Sequence, residues 1–338
     1  MSPAVRHDAP SRAGVGERVR LKLLTFNVHN LGHADNADER TYRAKMDFLV
    51  DVLTRLGPDV AVIDEVREAA SFDELADRLG TYPYRFLGDA PPANRRIQIG
   101  ILSRLPILEQ GSWREFPAIL AGAGGGPART TEPAMGRALP ALSFRRVMPW
   151  LRLEMPNAET LMVVAVHLKS RRAAAEEIPD TEPPRRRRLL GRALSNLIRI
   201  AEAAGLRCLL DEAMDRKTAD HYAVLGDFND TPSSTALSLV MGLEDEEGSE
   251  LVQSEERRLL ATSWRLPPDR AFSYVGRGQR HLFDHILVSQ RLSLGQVACG
   301  VESQLLEAER RRHSDHAEGY PRSDHAPVWA AFELPARA

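Results

Sequence analysis

The chain has 338 residues, of which 43% are hydrophobic and 27% are charged, and its formal net charge is −2. This composition is typical of a soluble globular protein with an ample buried core. Near-neutral charge excludes binding of nucleic acid by bulk positive charge, so such a ligand would need a local basic patch. The two cysteines, Cys208 and Cys299, belong to no CxxC or Cys/His cluster, which disfavours a structural zinc site.

Residues 1–19 are polar and rich in Gly, Pro and charge, and we expect a disordered lead-in before a single domain over residues 20–338. The lead-in has no apolar run of the signal-peptide kind, and no stretch approaches the length of a membrane span. We therefore expect a cytoplasmic monomer, although a trimmed precursor would look the same. No protein partner is predicted.

The first third of the chain alternates apolar runs with helical spacing. Met46, Leu49 and Leu53 predict a helix over residues 39–56 that ends at Gly57-Pro58. Ser71 and Glu74, spaced as in a capping box, predict a second helix over residues 71–80. Strands are predicted at residues 20–28, 58–66 and 97–103.

The rest of the chain reads as strands around one long helix. Residues 119–137 contain few large apolar groups and predict a mobile loop, and residues 243–256 predict an acidic loop. A long helix is predicted at about 186–215, with an apolar face of Leu189, Leu190, Leu194, Leu197, Ile198 and Ala201. Further strands are predicted at 141–155, 159–168, 221–229, 272–275, 282–289 and 326–334.

Strands outnumber helices in this reading, and the helices fall between groups of strands. This pattern favours an α/β fold in which two packed sheets are flanked by helices, rather than a doubly wound parallel sheet. We find no repeat of fixed period.

Polar groups able to bind metal or transfer protons stand where the apolar runs stop. Burying such groups singly is costly, so we expect them to pair or to hold a metal. Each motif has a structural explanation by itself: Asn27 can cap a turn, His167 can be a hydrogen-bonded interior histidine, and GDFND can be a simple turn. Their joint occurrence is much harder to obtain by chance. The motifs are TFNVHN (25–30), VIDEVR (62–67), VVAVHLKS (163–170), VLGDFND (224–230), FDHILVS (283–289) and SDHAPV (323–328).

With these motifs in this order, the sequence resembles the DNase I-like endonuclease/exonuclease/phosphatase superfamily over about residues 21–334. GDFN and the terminal SDHAPV are the most specific elements, and ILSRLPI (101–107) supports them. The resemblance implies a four-layer α/β/β/α sandwich, with two mixed β-sheets packed face to face and flanked by helices. It also implies phosphoester hydrolysis with Mg²⁺ or Mn²⁺.

The resemblance carries roles over residue by residue. Asn27, Glu65 and Asp324 match metal-site residues, and their hard oxygen ligands suit Mg²⁺ or Mn²⁺ rather than zinc. Asp284 matches a residue that orients the terminal histidine. The implied catalytic residues are His167 and Asn229 at the phosphate, Asp227 at the attacking water, and Asp284 with His325 as the acid–base pair.

Two positions depart from the family pattern. Many relatives have Asp or Glu where this chain has His29, which puts the metal preference in question. Relatives commonly have Gln where this chain has Asp64. Side chains alternate along a strand, so only one of Asp64 and Glu65 can line the site, and the register favours Glu65.

The motif SDHA occurs twice, at residues 314–317 and 323–326. Only the second copy leads directly into a predicted strand. We therefore assign Asp324 and His325 to the site, and treat Asp315 and His316 as loop residues.

Substrate binding is predicted for Arg67, Lys169 and Arg104. EVR resembles the DNase I-like branch, where the arginine reaches the nucleic-acid backbone. For Arg185–Arg188, a solvated helix face is the better interpretation, because positive charge at a helix start opposes the dipole. The leading hypothesis is a metal-dependent nuclease with nucleic acid as its substrate. The alternatives are a phosphatase or phosphodiesterase on a lipid headgroup or small phosphoester, and an inactive phosphate-binding module.

Overall fold

The computed structural model describes residues 18–36, 38–90, 97–117, 143–242, 257–276, 278–308 and 322–336. Four sequence expectations lie outside these residues. They concern most of the N-terminal lead-in, the 119–137 loop, the acidic 243–256 loop and the first SDHA motif.

The described chain forms fourteen strands and five α-helices of very different lengths. In chain order, the strands are β1 Arg18–Leu31, β2 Val60–Val66, β3 Tyr84–Leu87, β4 Gln98–Ser103, β5 Ile107–Glu115, β6 Ser143–Glu154, β7 Thr160–His167, β8 His221–Asp227, β9 Leu259–Ala261, β10 Tyr274–Gly276, β11 Gln279–His281, β12 Asp284–Ser289, β13 Gln296–Val301 and β14 Val328–Pro335. The α-helices are α1 Glu39–Leu56, α2 Ala69–Leu79, α3 Pro184–Asp215, α4 Thr235–Met241 and α5 Gln290–Ser293. Among the helices of the described ranges, none is long and apolar enough to span a membrane.

Two six-stranded sheets form the body of the described chain. The first has the order β13-β14-β1-β2-β4-β3, and the second has the order β5-β6-β7-β8-β12-β9. Each sheet is mixed, because β1 and β2 run parallel, as do β7 and β8, while the other neighbours are antiparallel. The strands β10 and β11 form a separate two-stranded ribbon.

The main hydrophobic core lies between the sheets. Leu23 and Val62 of the first sheet belong to one buried cluster with Leu151, Val163 and Leu225 of the second. The opposite face of the first sheet packs on α1 and α2, and the opposite face of the second packs on α3 and α4. The expected four-layer α/β/β/α sandwich is therefore confirmed.

The start of α2 differs from the prediction. The helix begins at Ala69, with Glu68 rather than a residue near Ser71 at its N-cap. Ser71 is buried, and Glu74 accepts a hydrogen bond from the hydroxyl of Tyr42 at 2.8 Å instead of closing a capping box. The predicted capping box is wrong because Glu74 is recruited by a neighbouring helix.

The buried face of α3 also differs from the prediction. Leu189 and Leu190 are exposed, at 68% and 41%, whereas Ser195, Arg199 and Glu202 are buried. The polar groups are tolerated there because each has partners: Glu202, for example, accepts the backbone N–H groups of residues 145 and 169. Of the predicted apolar face, Ile198 is buried, so hydrophobic spacing by itself identified the buried face only in part.

We predict that Gly226→Ala strongly destabilises the protein. Gly226 has φ 150, and a Cβ there would lie 1.8 Å from the carbonyl oxygen of Val166 on the neighbouring strand. Relief of that collision would push β7 and β8 apart, so we expect a loss of about 3 kcal/mol in the free energy of unfolding, measured in urea.

Gly278→Ala is the matched control, because Gly278 has φ 79 and a Cβ there would meet no atom within 4 Å. It should cost about 1 kcal/mol through backbone strain. Equal losses for the two variants would contradict the predicted collision.

Candidate active site

Two site residues, Asn27 and Asp227, lie on the inward-facing side of their strands, near the strand ends. Side chains alternate along a strand, so in β1 Asn27 follows Leu21 and Leu23 on the face toward the second sheet. In β8, Asp227 follows Ala223 and Leu225 in the same way. The ends of β1 and β8 therefore bring polar groups together at one edge of the inter-sheet core.

Asp227 receives hydrogen bonds from both sheets. Its Oδ2 accepts from Nδ2 of Asn27 at 3.1 Å and from Nδ2 of Asn229 at 3.0 Å, and its Oδ1 accepts from the backbone N–H of Asn229 at 2.7 Å. Burial raises the pKa of Asp227 to about 7; the nearby His325 opposes this shift, and Asp284 adds to it. The carboxyl group can therefore gain or lose a proton near neutral pH.

His167 and Asp284 flank Asp227 in the sheet, because the register pairs both residues with it. Nε2 of His167 lies 3.4 Å from Oδ2 of Asp227. Burial, together with the positive charges of Arg146 and His325, holds the pKa of His167 well below its usual value. His167 is therefore a neutral imidazole that can donate or accept a hydrogen bond at the cleft.

His325 forms a buried pair with Asp284. Nδ1 of His325 lies 2.7 Å from Oδ2 of Asp284, and its Nε2 lies 3.9 Å from Oδ2 of Asp227. Burial alone would lower the pKa of His325, but the carboxylates of Asp284 and Asp227 hold it well above the usual value. Ser323 fixes the loop, since its hydroxyl donates to the carbonyl of Asn27 and accepts from the backbone N–H of His325.

A β-bulge separates the roles of Asp64 and Glu65. Asp64 continues the inward face of β2 and is fully buried beneath the site, where burial raises its pKa well above the usual value. The register shifts at the next position, and Glu65 has a φ of 65. The carboxylate of Glu65 accepts from Nδ2 of Asn27 at 3.3 Å and from the backbone N–H of Asn30 at 3.1 Å, and it opens on the cleft.

His29 contacts the predicted metal ligand Asp324. Nδ1 of His29 lies 3.1 Å from Oδ1 of Asp324. Although burial favours the protonated carboxyl, the hydrogen bond from His29 and the charge of His325 lower the pKa of Asp324 to about 2. His29 and Asn30 both have positive φ values, and the ammonium group of Lys45 holds this bend by donating to their carbonyl oxygens. His29 therefore keeps Asp324 ionised.

The donor set fits a divalent cation. Oδ1 of Asp284 is buried without a hydrogen-bond partner, so an acceptor here is left unsatisfied by the surrounding donors. Ligand atoms of Asp227, Asp284 and His325 lie within 4.8 Å of one another, and this buried group can bind a metal. Carboxylate oxygens favour Mg²⁺ or Mn²⁺, although a histidine in the group broadens the choice.

The expected metal set is brought together with one difference. Glu65 and Asp324 open on the cleft, but Asn27 turns its NH₂ group toward Glu65 and Asp227. Its carbonyl oxygen accepts from the backbone N–H of His29 at 3.0 Å. In this orientation Asn27 links the carboxylates and offers them no oxygen, so it would bind a cation only after its carboxamide turned over.

The site lies at the floor of a cleft of about 710 Å³. One wall is aromatic: the rings of Phe283 and His281 are stacked with centroids 4.9 Å apart, and Tyr274 stacks on Phe283 at 5.3 Å. Tyr274 and Phe283 fall in the predicted strands 272–275 and 282–289, but none of these rings was assigned a role from the sequence. The available signal was Phe283 directly before the site residue Asp284. The cleft is also lined by arginines, namely Arg67, Arg146, Arg171, Arg172 and Arg192.

The predicted substrate residues have three different fates. Arg67 lines the cleft, where its Nε donates to Asn30 at 2.8 Å. Lys169 is buried, and its ammonium group donates to the carbonyls of Ser170 and Arg172, so it shapes the loop. Burial lowers the pKa of Lys169 to about 8.

The structure does not bring Arg104 to the site. Its backbone N–H bonds to Asp59, which precedes β2, whereas Glu65 lies near the far end of that strand. Its guanidinium lies over the ring of Tyr82, 5.2 Å from the centroid. Arg104 therefore lies at the opposite end of the strands from the site and cannot contact a substrate in the cleft.

Comparisons with known proteins identify the family and the fold of the chain. The sequence matches the Endonuclease/Exonuclease/phosphatase family over residues 24–325. Among curated proteins, the chain has no match.

Solved structures share the fold at low sequence identity. An endonuclease/exonuclease/phosphatase family protein from Bacteroides thetaiotaomicron is 14% identical, with a TM-score of 0.57 over 94% of this chain and 99% of that one. Truncated TDP2 from Caenorhabditis elegans is 14% identical, with a TM-score of 0.54 over 93% of this chain and 97% of that one. ANGEL2, a 2′,3′-cyclic phosphatase solved with adenosine-2′,3′-vanadate, is 14% identical, with a TM-score of 0.61 over 94% of this chain and 96% of that one. Because the family match spans nearly all of the described chain, the protein belongs to the endonuclease/exonuclease/phosphatase family, whose members hydrolyse phosphoester bonds.

Proposed function

We propose that this protein is a divalent-metal-dependent phosphodiesterase that hydrolyses nucleic acid. The observation that carries the proposal is the meeting of Asp227 with the His325–Asp284 pair at the floor of one cleft, beside Glu65. A carboxyl group with a pKa near 7 beside a histidine that is held protonated suits a reaction that moves two protons.

Hydrolysis of a phosphodiester breaks one P–O ester bond and forms a new P–O bond to water. Asp227 orients the water and accepts its proton, because its pKa lies near 7 and Asn229 fixes its carboxylate. His325, kept protonated by Asp284, gives a proton to the departing oxygen. Asn229 and the neutral His167 hold phosphoryl oxygens.

A divalent cation completes this arrangement. Glu65 and Asp324 would hold it, with Asn27 behind them, and Mg²⁺ or Mn²⁺ fits these oxygen donors. When bound, the cation stabilises the negative charge that develops on the phosphoryl group.

The walls of the cleft favour nucleic acid as the substrate. The arginines that line the cleft offer charge-assisted hydrogen bonds to phosphates, and the stacked rings of Tyr274, His281 and Phe283 offer flat surfaces to bases. A lipid headgroup has no flat ring that could stack on this aromatic wall, so the wall favours a nucleic-acid substrate over a lipid.

A small phosphoester is the second candidate substrate. ANGEL2, which shares the fold, is a 2′,3′-cyclic phosphatase and was solved with a nucleoside vanadate. A single nucleotide with a cyclic phosphate would fit within a cleft of about 710 Å³ without contacts beyond it.

We predict that the wild-type protein cleaves plasmid, single-stranded DNA or RNA with Mg²⁺ or Mn²⁺, and that EDTA abolishes cleavage. Asp227→Ala and His325→Ala should each lower kcat by about 10²–10⁴, because each removes one proton-transfer group. Gel assays of nicking and a chromogenic phosphodiester measure both effects.

Asp51→Ala is the control for these variants, since Asp51 is exposed on α1 and far from the cleft. Turnover of cyclic or monoester phosphates without cleavage of any polymer would reject the nuclease. Full activity in the Asp227 and His325 variants would reject the mechanism, whereas a wild-type protein that cleaves no phosphoester would favour an inactive phosphate-binding module.

We also predict that Asp284→Asn uncouples His325 from its partner. In the wild type, the pKa of His325 is raised, so the pair stabilises the folded protein fully below the unfolded pKa of about 6.5. That contribution is lost as pH rises through the folded pKa. The free energy of unfolding of the wild type should therefore exceed that of the variant by about 2–3 kcal/mol at pH 5.5. This difference should become smaller as the pH rises.

Urea unfolding in EDTA across pH 5.5–9 measures the gap, and the chromogenic assay should show a matching loss of kcat in the variant. A gap that widens with rising pH would show that the sign of the His325 shift is wrong.

A further inference from the structure

A basic groove continues from the active-site cleft along the first half of α3. The cleft adjoins two further cavities of about 470 and 610 Å³, and the side chains of Arg171 and Arg192 line all three. Arg172 lines the cleft and the smaller cavity, and Arg188 lines the smaller cavity alone. We call these four arginines the basic groove.

Helical spacing places the groove residues of α3 in a row. Arg188, Arg192 and Asn196 are separated by four residues each, so they lie on one face, with a rise of about 6 Å per step. This spacing is similar to that of successive phosphates along an extended nucleic-acid strand. Arg199, on the same face, is buried and holds Asp230 at 2.8 Å.

The four-arginine run at the start of α3 is divided by the structure. Arg186 forms an ion pair with Glu182 at 3.1 Å, and Arg187 donates to the carbonyl of Ala175 at 3.2 Å. Of the run, Arg188 faces the groove. The predicted solvated face agrees with the exposure of Arg185, Arg186 and Arg188, and Arg188 in addition lines the smaller cavity.

The groove carries positive charge that the described protein does not neutralise. Within the described ranges, Arg172, Arg188 and Arg192 form no ion pair with an acid at 4.0 Å or less. One acid lines each of the two cavities beside the cleft. Asp230 pairs with both Arg171 and Arg199, and Glu176 lines the smaller cavity together with Arg188. Arginines near a helix N-terminus oppose the helix dipole, so the arrangement favours binding of an anion more than it favours folding.

Arg171 stands where the groove meets the cleft, and it is fixed on two sides. Its guanidinium pairs with Asp230 at 2.5 Å and lies over the ring of Phe283, 4.9 Å from the centroid. The loop that carries it is closed on α3, since the backbone N–H of Ala174 donates to Gly191 and to Ser195. A strand leaving the cleft would therefore meet an ordered positive wall.

We propose that the basic groove binds the phosphates that flank the scissile one on a nucleic-acid strand. The inference rests on the proposed function and adds that the substrate is a polymer. A mononucleotide or an inositol phosphate can occupy the cleft, but Arg188 lines only the neighbouring cavity, so a second phosphate some distance along the strand is needed to use it.

The test compares the double variant Arg188→Ala/Arg192→Ala with Arg185→Ala/Arg186→Ala. Both remove two arginines from the same helix, but only the first pair lies in the groove. Binding of a fluorescent single-stranded oligonucleotide is followed by anisotropy in EDTA at several salt concentrations. Cleavage of the oligonucleotide and of bis(p-nitrophenyl) phosphate is measured with Mg²⁺ or Mn²⁺.

For the groove variant we expect affinity to fall on the order of tenfold, and the slope of log K against log salt to shrink by about 2. The ratio of kcat/KM for the oligonucleotide over that for the small phosphodiester should fall by a similar factor. The control variant should keep the wild-type slope and ratio.

Equal losses of oligonucleotide affinity in the two double variants would mean that only the total positive charge of the protein matters, and would overturn the inference. An unchanged salt slope in the groove variant would overturn it as well. An equal loss of activity on inositol polyphosphates and on the oligonucleotide would identify a small polyanion as the occupant and overturn it too. Failure of the proposed function has a different signature, because the wild type would then bind the oligonucleotide without cleaving either substrate.

Discussion

The carboxylate of Asp227 is the point where the two sheets are joined chemically. Asn27 from the first sheet and Asn229 from the second donate to the same oxygen, Oδ2. Burial of the carboxylate without such donors would cost several kcal/mol of folding free energy. Both amide groups must therefore lie within hydrogen-bond distance of Oδ2 in the folded protein. The ends of β1 and β8 are held together by the buried cluster between the sheets, to which Leu23 and Leu225 both belong. The core therefore sets the positions of Asn27 and Asp227, while Asn229 and His325 lie on the segments that follow β8 and precede β14.

Much of the fold could be predicted from the sequence, because alternation and helical spacing are local properties. The helix α1 begins and ends at the predicted residues, and the inner strands lie within a few residues of their predicted bounds. The short or exposed strands β3, β5, β9, β11 and β13 carried no such pattern. The face of α3 was not readable either, because Glu202 is buried by hydrogen bonds to distant backbone groups while Leu189 is left exposed.

The candidate site shows the same division. Asp227, Asp284 and His325 were identifiable because polar groups at strand ends stand out against apolar runs, and the structure brings them together. Arg104 also follows an apolar strand, but β4 runs antiparallel to β2 and ends at the opposite edge, a fact that no local pattern contains. The positions of Asp64 and Glu65 depended on a bulge, and the aromatic wall depended on the β10–β11 ribbon.

The pairing of β1 with β14 has a consequence for how the protein comes into being. The first described strand lies beside the last, with Arg18 opposite Pro335 and Thr25 opposite Val328. During folding β1 cannot gain this neighbour until β14 has been made, and His325 lies only a few residues before β14. Closure of the first sheet and completion of the candidate site are therefore the same folding event.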